Sequence, residues 1–316
     1  MARYAVQRLI LVIPTLLGMT LLIFGLVRLL PGDVVQVMSI GDVAASDATR
    51  ERVRQALGLA DPLPVQYAHY LGGLLSGDTG KSFLSGQPVS DILGRAIPIT
   101  LELAVVAAAF AILVGMPLGV VSAVKQNTRL DFVARVGGLV GLSLPNFWIA
   151  TLGLLLTSVA FHWIPAVTWI PLFADPLGNL VQIALPAFAL SLTTLAIVMR
   201  MTRASLLETL HEDYVRTARA KGLAPRPVVM GHGLRNALIP VVTVIGTQVG
   251  GLMGGAVIIE VIFGLPGVGY SLVQAIYNRD YPIIQVAAVY LAAVFVLVNL
   301  GVDLLYGIID PRIKQH

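Results

Sequence analysis

Cysteine is absent from the 316 residues. That excludes a disulfide framework, thiolate catalysis, an iron–sulfur cluster and a Cys-ligated zinc site. The absence fits an oxidising or a reducing compartment and selects neither. Charge is the second scarcity. Asp, Glu, Lys and Arg make up 12% of the chain, against about 25% in an ordinary soluble domain. A soluble fold of this size must clothe a large surface with polar groups, and this chain lacks them. An ordinary soluble enzyme, a disordered chain and a coiled coil are excluded on that ground. No run of Lys or Arg is dense enough to follow a phosphate backbone, so nucleic acid is excluded as a partner. His69, His162, His211, His232 and His316 show no metal-ligand spacing. No Ser/His/Asp nucleophile arrangement stands out. No catalytic residue, metal or directly bound cofactor is expected.

What the chain does have is apolar bulk: 57% hydrophobic residues, and a net charge of only +4. Its mean hydropathy is +0.85. This composition describes an all-α polytopic membrane protein whose solvent is the lipid bilayer. A helix needs about 20 mainly apolar residues to cross a hydrocarbon core of about 30 Å. Six stretches qualify, at about 9–30, 97–124, 132–161, 180–199, 237–263 and 283–309. They form one membrane domain over 1–316. The first follows Arg3 and Arg8 as a signal peptide would. Its apolar run is too long for a signal core and no small-residue cleavage site follows, so it is expected to be retained as a span. Pro145 and Pro186 each remove a backbone donor and should bend the third and fourth spans.

Lys and Arg placement orients the spans. With the N-terminus inside, segments 1–8, 125–135, 200–236 and 310–316 hold 14 of the 21 Lys and Arg residues. The expected topology is six spans with both termini inside. Two loops are long. The outside loop, 31–96, should carry a short helix over Ser46–Leu57 with Arg50, Arg52 and Arg54 exposed. A second helix should start at Pro64, with Tyr67, Tyr70, Leu71, Leu74 and Leu75 on its apolar side.

The inside loop, 200–236, is sharper. Arg203 to Lys221 contains no Pro or Gly. On a helical wheel Leu206, Leu207, Leu210, Tyr214 and Ala218 share one side. Ser205, Glu208, Glu212, Asp213, Arg216 and Arg219 lie opposite. Glu212 and Arg216 are spaced to pair, and Gly222 stands where a helix would end. Such a helix either lies in the inner membrane interface or is presented to a cytoplasmic protein. Its mixture of acids and bases weakens the first reading, because anionic lipid selects for Lys and Arg.

Other features have plain explanations. Gly80-Lys81-Ser82 mimics the end of a phosphate-binding loop, but Leu75 stands where that motif needs Gly. Gly246, Gly250 and Gly254 recur every four residues along the fifth span. Small residues at that spacing let helices pack closely, and the same smooth seam could line a conduit. Glu102, Glu260 and Asp303 lie toward span ends, where an acid is cheaper and structural pairing is expected. Gly264, Pro266, Gly267 and Gly269 read as a tight outside turn.

Residues Glu212 to Gly246, EDYVRTARAKGLAPRPVVMGHGLRNALIPVVTVIG, closely resemble the EAA loop of binding-protein-dependent ABC importer permeases. The likeness is strongest to the B-type membrane subunit of dipeptide and oligopeptide permeases. It covers essentially the whole chain, through YAVQRLILVIPTLLGMTLLIFGLVRLLPGD, LGLADPLPVQYAHYL, GDTGKSF, TLELA, SLPNFW, IEVIFGLPGVG and VDLLYGIIDPRI. Single motifs here are weak; their order and spacing are specific. One departure is clear. Arg216, Thr217 and Ala218 stand where the general pattern has Glu-Ala-Ala, so Arg216 inherits no role from a Glu.

The resemblance implies a type I ABC importer permease fold and the bacterial cytoplasmic membrane. It implies a second, related permease subunit, two ATP-binding cassette ATPases that hold ATP and Mg, and an extracytoplasmic substrate-binding protein. It implies a coupling helix seated on an ATPase, formed here by Leu210, Glu212, Asp213, Tyr214, Arg216, Ala218, Arg219 and Gly222. The residue types agree: Ala218 and Gly222 permit close approach, Leu210 and Tyr214 supply anchors to bury against the ATPase, and Glu212, Arg216 and Arg219 fit a polar rim. Substrates across such relatives include dipeptides, longer peptides, glutathione, nickel chelates and oligosaccharides. The competing class is a stand-alone secondary transporter or channel. That class usually shows internal repeats or interrupted helices around mid-membrane polar groups, and no convincing repeat links the two halves.

Overall fold

The computed structural model describes residues 2–29, 60–166 and 168–309. The helix expected over Ser46–Leu57 and the side chain of Asp303 lie outside the described residues. Among the described residues the chain is helical, with one isolated bridge between Lys81 and Pro88. Five helices are long and apolar enough to cross a membrane, and a bent pair makes up to six.

The first span is α1, Ala2–Leu29. Helix α2, Leu63–Ser76, starts with Pro64 in its first turn, where Pro is tolerated because that N–H has no helical partner. It lies against α1 through Tyr67, whose ring meets Phe24 edge-on at 5.3 Å. The Arg28 guanidinium stacks 3.5 Å over the Phe24 ring and donates to Gln66 Oε1.

The remaining spans are α3, Val89–Val124, the pair α4, Arg129–Ser143, and α5, Asn146–Phe161, then α6, Pro176–Leu210. After them come the short α7, Asp213–Ala220, α8, Leu234–Phe263, α9, Val268–Asn278, and α10, Tyr281–Ile309. One sequence expectation needs correction, and one helix is longer than the span it carries. The third span is not one bent helix. It breaks between Ser143 and Asn146 and turns by 104°. Pro145 supplies the cause, since it has no N–H to continue the ladder and disfavours helical geometry at Leu144 before it. The helix that carries the fourth span continues past Met199. It runs on to Leu210, and 35 residues span about 52 Å at 1.5 Å each, far beyond a hydrocarbon core of about 30 Å. Residues 200–210 of the expected inside loop are therefore the tail of α6.

The α3–α6 crossing brings two backbones into contact. Helix α3 buries Ala104, Ala107, Ala111, Gly115 and Gly119 along one face. A Cβ on Gly115 would sit 2.8 Å from the Leu195 carbonyl oxygen, and one on Gly119 2.6 Å from that of Met199. The backbones touch, which is how helices gain dispersion energy in lipid without a hydrophobic drive.

Each end of this core carries a buried acid. Near the α7 end, Asp131 is fully buried in the first turn of α4. Its carboxylate accepts from Ser122 Oγ at 2.6 Å and Asn127 N–H at 3.0 Å. Arg203 of α6 grips it with two bonds, Nε at 2.8 Å and Nη2 at 3.1 Å. At the other end Glu260 is fully buried. It accepts from the Thr100 hydroxyl at 2.6 Å and the Tyr270 N–H at 2.9 Å. Thr100 in turn accepts from Val268 N–H at 2.8 Å. Glu260 and Thr100 thus cap α9 from two other helices, satisfying donors that a helix start leaves open. That short helix follows the expected turn at Gly264, and the sequence reading missed it. Glu102 is half-buried in α3, and its Oε1 has no hydrogen-bond partner among the described residues.

Candidate functional site

The expectation of one amphipathic helix over Arg203–Lys221 is corrected by the structure. The helix stops at Leu210, His211 and Glu212 turn the chain, and α7 begins at Asp213. Glu212 takes extended backbone as the N-cap of α7. It cannot then pair with Arg216 across a helical turn. Arg216 Nη2 instead meets Asp213 Oδ1 at 2.7 Å, one turn apart on the surface.

The break also resets the helical wheel. Val215 becomes fully buried and Ala218 is 7% exposed, while Tyr214 turns outward to 41%. Val215, Ala218 and Val228 form a small cluster with Leu210 at its edge. Within this chain, then, Leu210 is half-buried and Tyr214 exposed, while Val215, which stood outside the expected set, is fully buried. The adjacent acids Glu212 and Asp213 are the sequence signal that would have located this helix start. Tyr214 has a different task. Its hydroxyl donates to the His232 carbonyl at 3.3 Å and accepts from Asn236 Nδ2 at 2.8 Å. It ties α7 to the π-helical turn Val228–Gly233 that leads into α8. Glu212, Asp213, Arg216, Arg219 and Gly222 are all exposed.

The end of α7 is built as a Schellman motif. Gly222 N–H donates to Arg219 O at 2.9 Å and Leu223 N–H to Ala218 O at 3.4 Å. That pattern needs a left-handed residue at Gly222, whose φ is +78°. Among the described residues nothing beyond its chain neighbours lies within 4 Å of where a Gly222 Cβ would stand, so conformation, not packing, requires glycine here. The result is a short helix with its apolar side seated on α6 and its turn into α8. Its charged side faces outward.

The glycines of α8 divide. A Cβ on Gly246 would collide with Val302 of α10, and one on Gly250 would meet Asn299 Oδ1 at 3.2 Å. Gly254 has none of the described residues packed within 4 Å of its Cβ position and is exposed. The first two pack against α10; the third faces outward.

The fold is that of the membrane subunits of ABC transporters. The structure of the MetNI methionine ABC transporter in inward-facing conformations shares the fold, with a TM-score of 0.56 and 21% identity over 69% of this chain and 96% of that one. An amino acid ABC transporter structure matches at a TM-score of 0.53 and 16% identity, over 69% and 94% of the two chains. The sequence is more specific. The dipeptide transport system permease protein DppB of Escherichia coli K12 is 42% identical over 100% of this chain and 99% of its own length. That of Alkalihalophilus pseudofirmus is 40% identical over 99% and 100%. The family described as binding-protein-dependent transport system inner membrane component matches residues 115–315, and its N-terminal companion matches 1–104. The chain belongs to this family, and it is a multi-pass protein of the bacterial inner membrane.

Proposed function

We propose that this chain is the permease subunit of an ATP-driven importer of dipeptides and short oligopeptides, and that α7 is its coupling helix. One observation carries the coupling role. A short helix is anchored by Val215 and Ala218, locked at its end by Gly222, and presents Asp213, Arg216, Arg219 and Lys221 outward. That polar rim around a small apolar anchor suits a protein partner. The occupant of this reading is an ATPase subunit, which would hold the ATP and Mg. A second permease subunit would complete the pathway, and an external binding protein would deliver the peptide. The peptide substrate is carried over from the full-length likeness to the dipeptide permeases.

Uptake of a labelled dipeptide tests this reading. Cells carrying this chain and its partner genes should accumulate it, and deleting the ATPases should reduce uptake to background. Robust uptake without any ATPase would sink the proposal in favour of a stand-alone transporter. The orientation is tested separately. Reporter fusions at Gly41 and Gly178 should report outside, and one at Gly222 inside; a reversal at any position overturns the topology.

A further inference from the structure

Five spans run unbroken, while the α4–α5 pair breaks within its apolar stretch. A cavity of about 350 Å³ lies at the break, at the lower end of the size range that holds small ligands. Ser143, Pro145 and Asn146 line it from the break, Thr193 from the middle of α6, and Gly255 and Ile258 from α8. None of the residues around it carries a charge.

The break leaves main-chain groups open. The last α4 carbonyl with a main-chain donor across the gap is that of Val140, bonded to Leu144 N–H at 3.1 Å. Helix geometry leaves the carbonyls of Gly141, Leu142 and Ser143 without helical donors, and the first N–H groups of α5 without helical acceptors. The negative end of one helix dipole and the positive end of another face the same gap. Asn146 is held in place: Thr193 Oγ1 donates to its Oδ1 at 2.8 Å, and its Nδ2 donates to the Leu190 carbonyl at 3.2 Å. Ser143, Pro145 and Phe147 are exposed. So are Thr247, Gly251, Gly254 and Ile258, which form one uncovered face of α8 leading from the cavity toward the α7 end. Open main-chain groups at membrane depth are tolerated where they line a water-filled path or are covered by protein.

We propose that this break is an intramembrane station for the main chain of the travelling peptide. A peptide amide offers one donor and one acceptor, and the gap offers both in return. With no charge in its wall, the station would grip main-chain amides rather than termini or charged side chains. The uncharged lining and the glycine-rich exit face therefore suit substrates of varied sequence. The inference rests on the peptide-import reading and adds the site.

The test uses the wild-type chain in the assembled transporter, in proteoliposomes with its binding protein and ATPases. A tripeptide carrying a diazirine side chain is first shown to be imported, then photolysed during turnover. The label should map to residues 143–147, Thr193 or 255–259, and excess unlabelled peptide should lower the yield by about tenfold when only about one site in ten stays free. As a second measurement, a water-soluble thiol reagent should modify a Ser143→Cys variant, with peptide slowing the modification. A Leu155→Cys control, on an exposed part of α5 outside the cavity lining, should show no peptide effect. Label confined to other residues overturns the station. So does a thiol in the Ser143→Cys variant that is shielded equally with and without peptide, since the second permease would then fill the cavity. So does modification by lipid-soluble reagents alone, since lipid would then fill it. If the transporter imports no peptide at all, the functional reading fails; import with no label at the break defeats the station alone.

Discussion

A Gly222→Val variant should reach the membrane at its normal level and lose uptake by about tenfold or more. Gly222 sits at φ +78°, a region where a β-branched residue is a steric outlier. Forcing valine there costs about 1–3 kcal/mol, and about 1.4 kcal/mol is a factor of ten in a two-state population. Helix α7 has only 8 residues, too few to persist without caps and anchors. Loss of the Schellman end should therefore unwind its last turn, where Ala218 and Arg219 give their carbonyls. The spans are untouched, because none of the described residues beyond its chain neighbours packs on Gly222. A graded series makes the cause visible. Asparagine tolerates left-handed backbone and should keep part of the uptake, alanine less and valine least. Uptake would be followed together with co-purification of the ATPases. Equal activity across the series would show that the turn is not needed for coupling.

The second large effect concerns stability at the same end. Asp131 is fully buried and holds Arg203 with two bonds, while Arg203 is 19% exposed. Removing one partner of a buried ion pair leaves the other charge stranded, at a cost of about 3–5 kcal/mol. Asp131→Ala should therefore lower the folded protein recovered in detergent and its thermal midpoint. Arg203→Lys should fall between wild type and Asp131→Ala, since an ammonium keeps the charge but cannot form the planar fork. The paired change Asp131→Leu with Arg203→Met should recover much of the loss, because apolar residues of similar volume often replace such pairs at no net cost. Equal midpoints for wild type and Asp131→Ala would show that the pair does not stabilise the fold. Thr128 caps the start of α4, its Oγ1 accepting from Asp131 N–H at 3.4 Å. Nothing in local sequence showed that the same carboxylate also binds a residue on α6.

The spans were legible because bilayer thickness sets a length and apolar runs meet it. Pro145 announced a disturbance in the third span, but one missing donor does not say how far the chain will turn. The 104° angle depends on what α4 and α5 pack against. The inside helix illustrates the same limit. Its termination at Gly222 followed from glycine's tolerance of left-handed backbone, a property of one residue. Its burial pattern did not follow, because a wheel assumes an unbroken helix, and the turn at His211–Glu212 rotated Tyr214 out and Val215 in. The α8 glycines make the point once more. One spacing of four served Gly246, Gly250 and Gly254, yet only the first two meet α10.

The sequence by itself therefore determined the solvent, the spans, the resemblance and the stop at Gly222. These follow from composition, from length against a fixed bilayer, and from single-residue backbone preferences. Only the tertiary structure decided the partners: Asp131 with Arg203, Glu260 with Thr100 and the start of α9, Val215 with Val228, and the open break beside Thr193. Each of these joins residues far apart in the chain, whose proximity depends on how whole helices cross.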